Sequence, residues 1–537
     1  METYENTAFR SYVDVLLDQL EKHADRTVLR YLDEDVTGRA LRASIHRHAG
    51  ALAMLGVGRG SLVAQFAPNC PDALAIRYAA NLLGAATMFL PAIVSAEHRA
   101  AFLKRIQPTL LVAFAQTAHL VPEGIGLPVV YVGTGPAWSR LDNRARVQPD
   151  APVASVARPG DLAVIVSSGG STGVPKASRR SFAAYSSMVS APSPADRRQL
   201  VNGALAYLSQ VLVDNTLMGG GTVVLKPCFD PAETLATIEA ERITDLMLVE
   251  PQLFETMDHP DARLRDLSSL RSIAHIGGSA PAILRRRAIA RFGPVLTHLY
   301  GASEAGLVSA LSPADYLADP RSLESAGRVR PGVRVRLRMA DGTFARQGQR
   351  GGIEVKSADV AQGYQHEPVE AALKFCDGWC MTGDIGYFDE QGNLHVLGRA
   401  ADVAEIDGIA VGPAQIETPL CTLPEVRYAV AVAVAVATGD ASCGHVWNAV
   451  IVPWPGERID INRCRRALAS ACGAKVATAV RMTAAQRVPL TGQGKVDRAA
   501  IGQICRFSRR PRLEDWFSAE LKQARPADVY PFARVPV

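Results

Sequence analysis

The run Ser167-Ser168-Gly169-Gly170-Ser171-Thr172-Gly173-Val174-Pro175-Lys176 follows directly on the apolar stretch Leu162-Ala163-Val164-Ile165-Val166. Small residues let backbone amides approach phosphate oxygens, hydroxyls donate hydrogen bonds, and the lysine adds charge, so by composition the run is a phosphate cradle. It is not the P-loop of nucleotide triphosphatases. That loop needs Gly immediately before its Lys and Ser or Thr after it, whereas here Pro175 precedes Lys176 and Ala177 follows. An isolated Gly/Ser run is more often a solvated surface loop, so its meaning depends on what else the chain carries.

Five further groups follow in order: Gly277-Gly278-Ser279-Ala280-Pro281, Tyr300-Gly301-Ala302-Ser303-Glu304, Thr382-Gly383-Asp384 with Gly398-Arg399, Pro413-Ala414-Gln415-Ile416-Glu417, and Leu490-Thr491-Gly492-Gln493-Gly494-Lys495-Val496-Asp497-Arg498. Taken singly, Asp384 reads as a turn or cap carboxylate, Glu304 as a helix-start residue, Arg399 as a solvated charge and Lys495 as an exposed lysine. Taken together and in this order, they resemble the adenylate-forming superfamily of acyl- and aryl-CoA ligases, luciferases and peptide-synthetase adenylation domains. The signature loop of that family typically reads T-S/G-G-S/T-T-G-x-P-K-G, which Ser168 to Ala177 matches with two departures, each small for small. The resemblance spans roughly residues 25 to 505.

That resemblance implies an ATP-dependent ligase that activates a carboxylic acid as acyl-AMP and passes the acyl group to a thiol. It implies phosphate contacts from Ser168, Gly169, Gly170, Ser171, Thr172, Gly173 and Lys176, and an adenine and acyl pocket at Gly278, Ser279, Ala280 and Pro281. Tyr300 is expected to stack on adenine within a nucleotide motif completed by Gly301, Ala302 and Ser303, while Asp384 binds the ribose hydroxyls with help from Arg399. Glu304 is the expected Mg²⁺ ligand, with Thr172 a candidate for a second, and Lys495 is the expected adenylation lysine. A positive charge between an attacking carboxylate and the α-phosphate of ATP lets two anions meet while pyrophosphate leaves.

The sequence departs from the family pattern in two places. The family usually has a polar hinge residue two positions past the arginine and a lysine six past it, where this chain has Ala401 and Glu405. The hinge is expected at Ala401 and Asp402, and a carboxylate at Glu405 would disfavour an approaching phosphate-bearing thiol. The expected acceptor is coenzyme A, and the alternative is the phosphopantetheine arm of a carrier protein. An alternative of another class is a catalytically silent nucleotide-binding or scaffold homologue, against which Lys176, Glu304, Asp384 and Lys495 argue together. The second departure is Gly203-Ala204-Leu205-Ala206-Tyr207, which lacks both residues of the P-x-x-H pattern many relatives carry, and whose small side chains point to a bulky or elongated acid. Asp214 reads as a polar helix-face residue rather than the partner of a substrate amine.

The elements that must position these groups alternate. Apolar residues recur at helical spacing from Asp14 to Leu55, Leu62-Val63-Ala64 reads as a strand, and Ala73 to Leu83 reads as a helix. Ala85 to Leu90, Leu110 to Phe114, Leu162 to Val166, Thr222 to Leu225, Asp245 to Val249 and Ser272 to Ile276 read as buried strands. The expected fold class is therefore α/β: a large multi-sheet N-terminal domain over residues 1–398 and a small mobile α+β C-terminal domain over 399–537. The hinge falls near 399–402, and a polar tail starts at about Phe507.

Composition narrows the class further. At 537 residues the chain exceeds what one core usually fills. Its 48% apolar and 21% charged content is that of a globular protein. A net charge of +5, without basic blocks interleaved with aromatics, argues against a nucleic-acid partner. Nine scattered cysteines do not form a disulfide framework, and Cys376 and Cys380 read as two packed thiols. The start has no basic segment followed by an apolar core, and the longest apolar run, Ala429 to Ala437, is too short to span a bilayer, so the expected setting is cytoplasmic.

Overall fold

A computed structural model describes residues 9–93, 95–167, 175–206, 208–277, 281–406, 409–437, 443–491 and 494–507. The chain folds as a mixed α/β protein with several sheets. The largest has nine strands in the order Arg328–Val329, Gly306–Leu311, Leu296–Ala302, Ser272–Ile276, Asp245–Leu248, Arg198–Val201, Thr222–Leu225, Thr27–Tyr31 and Glu34–Thr37. A six-stranded sheet runs Val129–Val132, Leu110–Phe114, Leu62–Phe66, Ala86–Phe89, Leu162–Ser167 and Ala177–Ser181. The predicted buried strands all occur, within a residue or two.

The stretch read as helical from Asp14 to Leu55 is instead a helix, a hairpin and a second helix. Tyr12–Lys22 starts at a capping box in which the Ser11 and Asp14 side chains each bond the other's backbone amide. The strands Thr27–Tyr31 and Glu34–Thr37 then pair antiparallel, before Thr37 caps Gly38–Met54. The turn between them holds Leu32 at φ 53°, a left-handed conformation without the usual Gly or Asn. The missing turn residue is why the hairpin cannot be seen in the sequence.

Parallel pairing of Arg198–Val201, Asp245–Leu248, Ser272–Ile276 and Leu296–Ala302 puts the carboxyl ends of these strands along one sheet edge. Gly203, Val249, Gly277 and Tyr300 stand on that edge, where ligands gather in open α/β sheets. A smaller sheet of Arg334–Arg338, Gly351–Lys356, Trp379–Phe388 and Leu394–Arg399, with the short Phe375–Cys376 strand, carries the Thr382-Gly383-Asp384 segment. Beyond it, Val426–Ala437 pairs antiparallel with Cys443–Pro453, which pairs parallel with Val480–Ala484. The helices Glu250–Asp258 and Ala282–Phe292 pack against this C-terminal part: Phe254 stacks on Tyr428 at 5.4 Å, and Arg427 pairs with Asp258 at 2.8 Å. Leu253, Leu284, Leu420, Val430 and Trp447 share one apolar core there.

Two readings of single residues change. Asp214 is not a surface-facing polar residue. It is fully buried and accepts both guanidinium nitrogens of Arg77, at 2.7 and 2.8 Å, and the hydroxyls of Tyr78 and Tyr185, each at 2.6 Å. This satisfied ion pair joins the helices Pro71–Leu82, Phe182–Val189 and Leu208–Met218 inside the core. Cys376 and Cys380 do not pack as a pair either: they oppose Trp379 and Phe375 on a hairpin, and only Cys380 is buried.

Candidate active site

The Leu162–Ser167 strand pairs antiparallel with Ala177–Ser181, so the two ends of the Gly/Ser run are brought side by side. Of that run, Ser168, Gly169, Gly170, Ser171, Thr172, Gly173 and Val174 lie outside the described residues, as do Gly278, Ser279 and Ala280 of the second motif and Gly492 and Gln493 of the last. Pro281 is buried and opens the Ala282–Phe292 helix, its carbonyl accepting from Leu284 N–H at 2.9 Å.

Tyr300-Gly301-Ala302-Ser303-Glu304 is tied to the ends of the phosphate-type loop. Ser303 Oγ donates to the Ser167 carbonyl at 3.1 Å, and the buried Arg180 guanidinium donates to the Ser303 carbonyl at 2.7 Å and to the Asp359 carbonyl at 3.1 Å. Gly301 passes so close to the returning chain that a Cβ there would stand 2.5 Å from the Gly306 carbonyl oxygen. Glu304 is buried, and one of its carboxylate oxygens accepts the Tyr364 hydroxyl at 2.8 Å. The Lys176 ammonium lies 5.0 Å from the centre of the Tyr364 ring.

A second cluster meets this one. The Tyr300 hydroxyl donates to one oxygen of Asp384 at 2.6 Å, and Arg399 Nε approaches the other at 3.2 Å. Their pairing follows from register, because Asp384 and Arg399 are direct partners on adjacent antiparallel strands. Burial, and then the Asp384 carboxylate, push the Tyr300 phenol well up, so it stays a donor. Asp384, with help from Glu304 and Tyr300, raises the Arg399 guanidinium against the pull of burial. Arg399 and Lys374 both donate to the Thr382 carbonyl, at 2.9 and 2.8 Å, placing two cations beside Asp384.

Lys495 reaches the same place from the far end of the chain. Its backbone is held in a tight turn in which Thr491 N–H donates to the Lys495 carbonyl at 2.7 Å and Gly494 N–H to the Thr491 carbonyl at 2.8 Å. Gly494 sits over the start of the Glu250–Asp258 helix, where a Cβ would stand 3.5 Å from the Gln252 amide nitrogen. The half-buried Lys495 side chain lies over Gly277, at the end of the Ser272–Ile276 strand. Withdrawal from water, and then the Arg399 charge, lower the ammonium below the ordinary lysine range.

Lys176, Tyr300, Glu304, Asp384, Arg399 and Lys495, from five separate segments, therefore form one neighbourhood. Ala401 and Asp402 follow Arg399 in a single 3₁₀ turn, and burial raises the Asp402 carboxyl. Glu405 is exposed on the Ala404–Ile406 strand. Tyr364, Lys374 and Gln252 belong to the neighbourhood but carry no motif signal, because what brings them in is strand pairing and packing distant in sequence.

Residues 16–365 match the family model for AMP-binding enzymes, and the chain belongs to that family. It is 30% identical to a medium/long-chain-fatty-acid–CoA ligase of Mycobacterium tuberculosis, covering 91% of this chain and 89% of the relative. It is also 30% identical to a feruloyl-CoA synthase of an Amycolatopsis species, over 89% and 95%. Among solved structures, an amide bond synthetase of Marinactinospora thermotolerans superposes with a TM-score of 0.82 at 28% identity, over 93% of this chain and 99% of that one.

Proposed function

We propose that the chain is an AMP-forming acid–thiol ligase that activates a carboxylic acid with ATP and passes the acyl group to coenzyme A. The substrate carboxylate attacks the α-phosphorus, the bond to the β-phosphate oxygen breaks and pyrophosphate leaves with that electron pair. The thiol sulfur then attacks the acyl carbonyl, loses its proton, and AMP departs. The observation that carries the reading is the convergence of Lys495 on Gly277 beside the Tyr300–Asp384–Arg399 cluster. An ammonium there can bridge an attacking carboxylate and the α-phosphate, which is the charge problem of the first step.

The remaining roles follow. Asp384 offers oxygens to the ribose hydroxyls, oriented by the Tyr300 hydroxyl and Arg399. Tyr300 presents its ring to adenine beside Gly278, Ser279, Ala280 and Pro281, with Gly301, Ala302 and Ser303 completing the nucleotide motif at the end of the Leu296–Ala302 strand. Ser168 to Gly173 and Lys176 hold the phosphates. Glu304 suits Mg²⁺ because a hard cation takes carboxylate oxygen, and only one of its oxygens has a partner among the described residues. Thr172 is the second candidate ligand. When bound, Mg²⁺ supplies charge neutralisation at the departing phosphates.

We assign residues 1–398 to the AMP-binding domain and 399–537 to a mobile domain hinged at Ala401 and Asp402. Among the described residues no helix is long and apolar enough to cross a membrane, and the cysteines there are free thiols, which supports a reducing cytoplasmic setting.

A second reading concerns only the acceptor. Likeness to an amide bond synthetase, together with an exposed carboxylate at Glu405, favours an amine in place of the thiol. The reading is tested by acid-dependent pyrophosphate exchange across a broad carboxylic-acid panel, followed by transfer from the pre-formed acyl-AMP to coenzyme A, a holo carrier protein or a primary amine. Exchange with at least one acid and preferential transfer to coenzyme A is the expected result. No exchange with any acid contradicts the activation step, and preferential transfer to the carrier or the amine contradicts the acceptor.

A further inference from the structure

We infer that Tyr364 is a positioning residue that holds Glu304 and Lys176 at fixed points of the phosphate end of the site. Its two ends take opposite charges. The hydroxyl donates to a Glu304 carboxylate oxygen at 2.8 Å, and the ring face lies 5.0 Å from the Lys176 ammonium. One side chain thus engages a carboxylate and an ammonium through different atoms, and it orients both without neutralising either.

The backbone around Tyr364 is fixed to the same two segments. Gln362 N–H and Gln365 N–H donate to the carbonyls of Arg179 and Ala177 at 2.9 and 2.8 Å, and Arg179 N–H donates to the Gly363 carbonyl at 3.0 Å. Residues 362–365 therefore lie antiparallel against Ala177–Ser181, directly after Lys176, with Ser178 and Tyr364 paired in an isolated bridge. Ala361 N–H donates to the Glu304 carbonyl at 2.8 Å, closing the link to the second motif. Tyr364 itself is only 4% exposed, and Phe375 meets its ring edge-on at 5.4 Å, so the phenol has little freedom to turn. Burial, and then the Glu304 carboxylate, push the phenol up, so it remains a donor across the working range of pH.

With one oxygen of Glu304 held by the Tyr364 hydroxyl, rotation of the carboxylate is restrained. The inference rests on the proposed role of Glu304 toward Mg²⁺ and of Lys176 toward the phosphates. Three variants separate it from that role: Tyr364→Phe keeps the ring and removes the hydroxyl, Tyr364→Leu removes both, and Glu304→Gln is the reference. Two quantities are read: the half-saturating Mg²⁺ concentration in acid-dependent pyrophosphate exchange, and calorimetric affinity for ATP with and without Mg²⁺.

Tyr364→Phe is expected to raise the half-saturating Mg²⁺ roughly tenfold, the scale of a hydrogen bond to a charged group, with metal-free ATP affinity and the KM of the acid unchanged. Tyr364→Leu is expected to weaken metal-free ATP binding in addition, by roughly fivefold, as the ammonium loses its seat. If Glu304→Gln leaves the Mg²⁺ dependence unchanged, the role of Glu304 fails and this inference falls with it. If Glu304→Gln shifts it and the near-isosteric Tyr364→Phe does not, the inference alone is overturned. An equal fall of every parameter in Tyr364→Phe, with no selective Mg²⁺ shift, overturns it as well.

Discussion

Gly277 and Lys495, 218 positions apart in the numbering, occupy one space: a methyl group on Gly277 would stand 2.5 Å from Lys495 Cε and 2.7 Å from Nζ. Gly277 is also held at φ 90°, a conformation that L side chains rarely adopt. The glycine leaves the strand end bare, so that the ammonium from the far end of the chain can lie across it.

Gly277→Ala therefore displaces the ammonium without removing it. The expected outcome is a loss of acid-dependent pyrophosphate exchange of roughly 100-fold, the scale at which small misplacements of catalytic groups act. ATP affinity measured by calorimetry should stay near that of the parent, and a parallel collapse of both would show that the glycine serves nucleotide binding instead.

In the proposed role of Lys495, the lowered affinity of its amine for a proton should set the alkaline side of the pH profile. The proposed role needs the charged form, so activity should be lost as pH rises through a folded-state value below the ordinary 10.5. Withdrawal from water is the larger cause and Arg399 the second, so Arg399→Met should move the alkaline midpoint of kcat/KM upward while raising the KM for ATP. A midpoint unmoved by the substitution would remove Arg399 from the electrostatics of the lysine.

The candidate site residues Lys176, Tyr300, Glu304, Asp384, Arg399 and Lys495 are legible in the sequence because they stand in motifs whose order resembles that of the adenylate-forming family, and the structure brings these six side chains into one neighbourhood. Their neighbours were not legible for a physical reason. Tyr364 enters by an isolated antiparallel bridge to Ser178, and Lys374 by a bond to the Thr382 carbonyl, contacts that leave no mark on local spacing. The same holds for Asp214, whose partner Arg77 lies on another helix, and for the Thr27–Thr37 hairpin, which turns through Leu32. The buried strands were read well because continuous apolar runs bounded by Gly and Pro have few other uses.

The Arg77–Asp214 pair is fully buried, with side chains 1% and 0% exposed. Asp214→Asn leaves the guanidinium without its counter-charge and should cost about 3–5 kcal/mol of stability. Thermal unfolding should shift down by several degrees, with ATP affinity of the folded protein unchanged. The double variant Arg77→Met/Asp214→Leu should recover much of the loss, and failure to recover would assign the defect to packing.

His275 and His298 face each other through their Nδ1 atoms at 2.9 Å inside the nine-stranded sheet. Burial, and then the Arg285 charge, lower His275 from 6.5 to about 3, and His298 is lowered in the same way. The unfolded chain takes up protons below the ordinary value that the folded chain refuses. The stability this pair contributes is therefore full above about pH 6.5 and is lost progressively as pH falls below it. Urea midpoints at pH 7 and pH 5 should differ, and the difference should shrink in His275→Leu/His298→Leu; an unchanged difference would place the acid sensitivity elsewhere.

In the proposed mechanism the Lys495 ammonium makes acyl-AMP formation possible at the Gly277 strand end. Its direct test is acid-dependent pyrophosphate exchange by Lys495→Ala, with ATP binding measured on the same preparation. The expected result is a fall of about 100- to 1,000-fold in exchange with nucleotide affinity largely retained. Exchange at the parent rate, with the lysine gone, would contradict it.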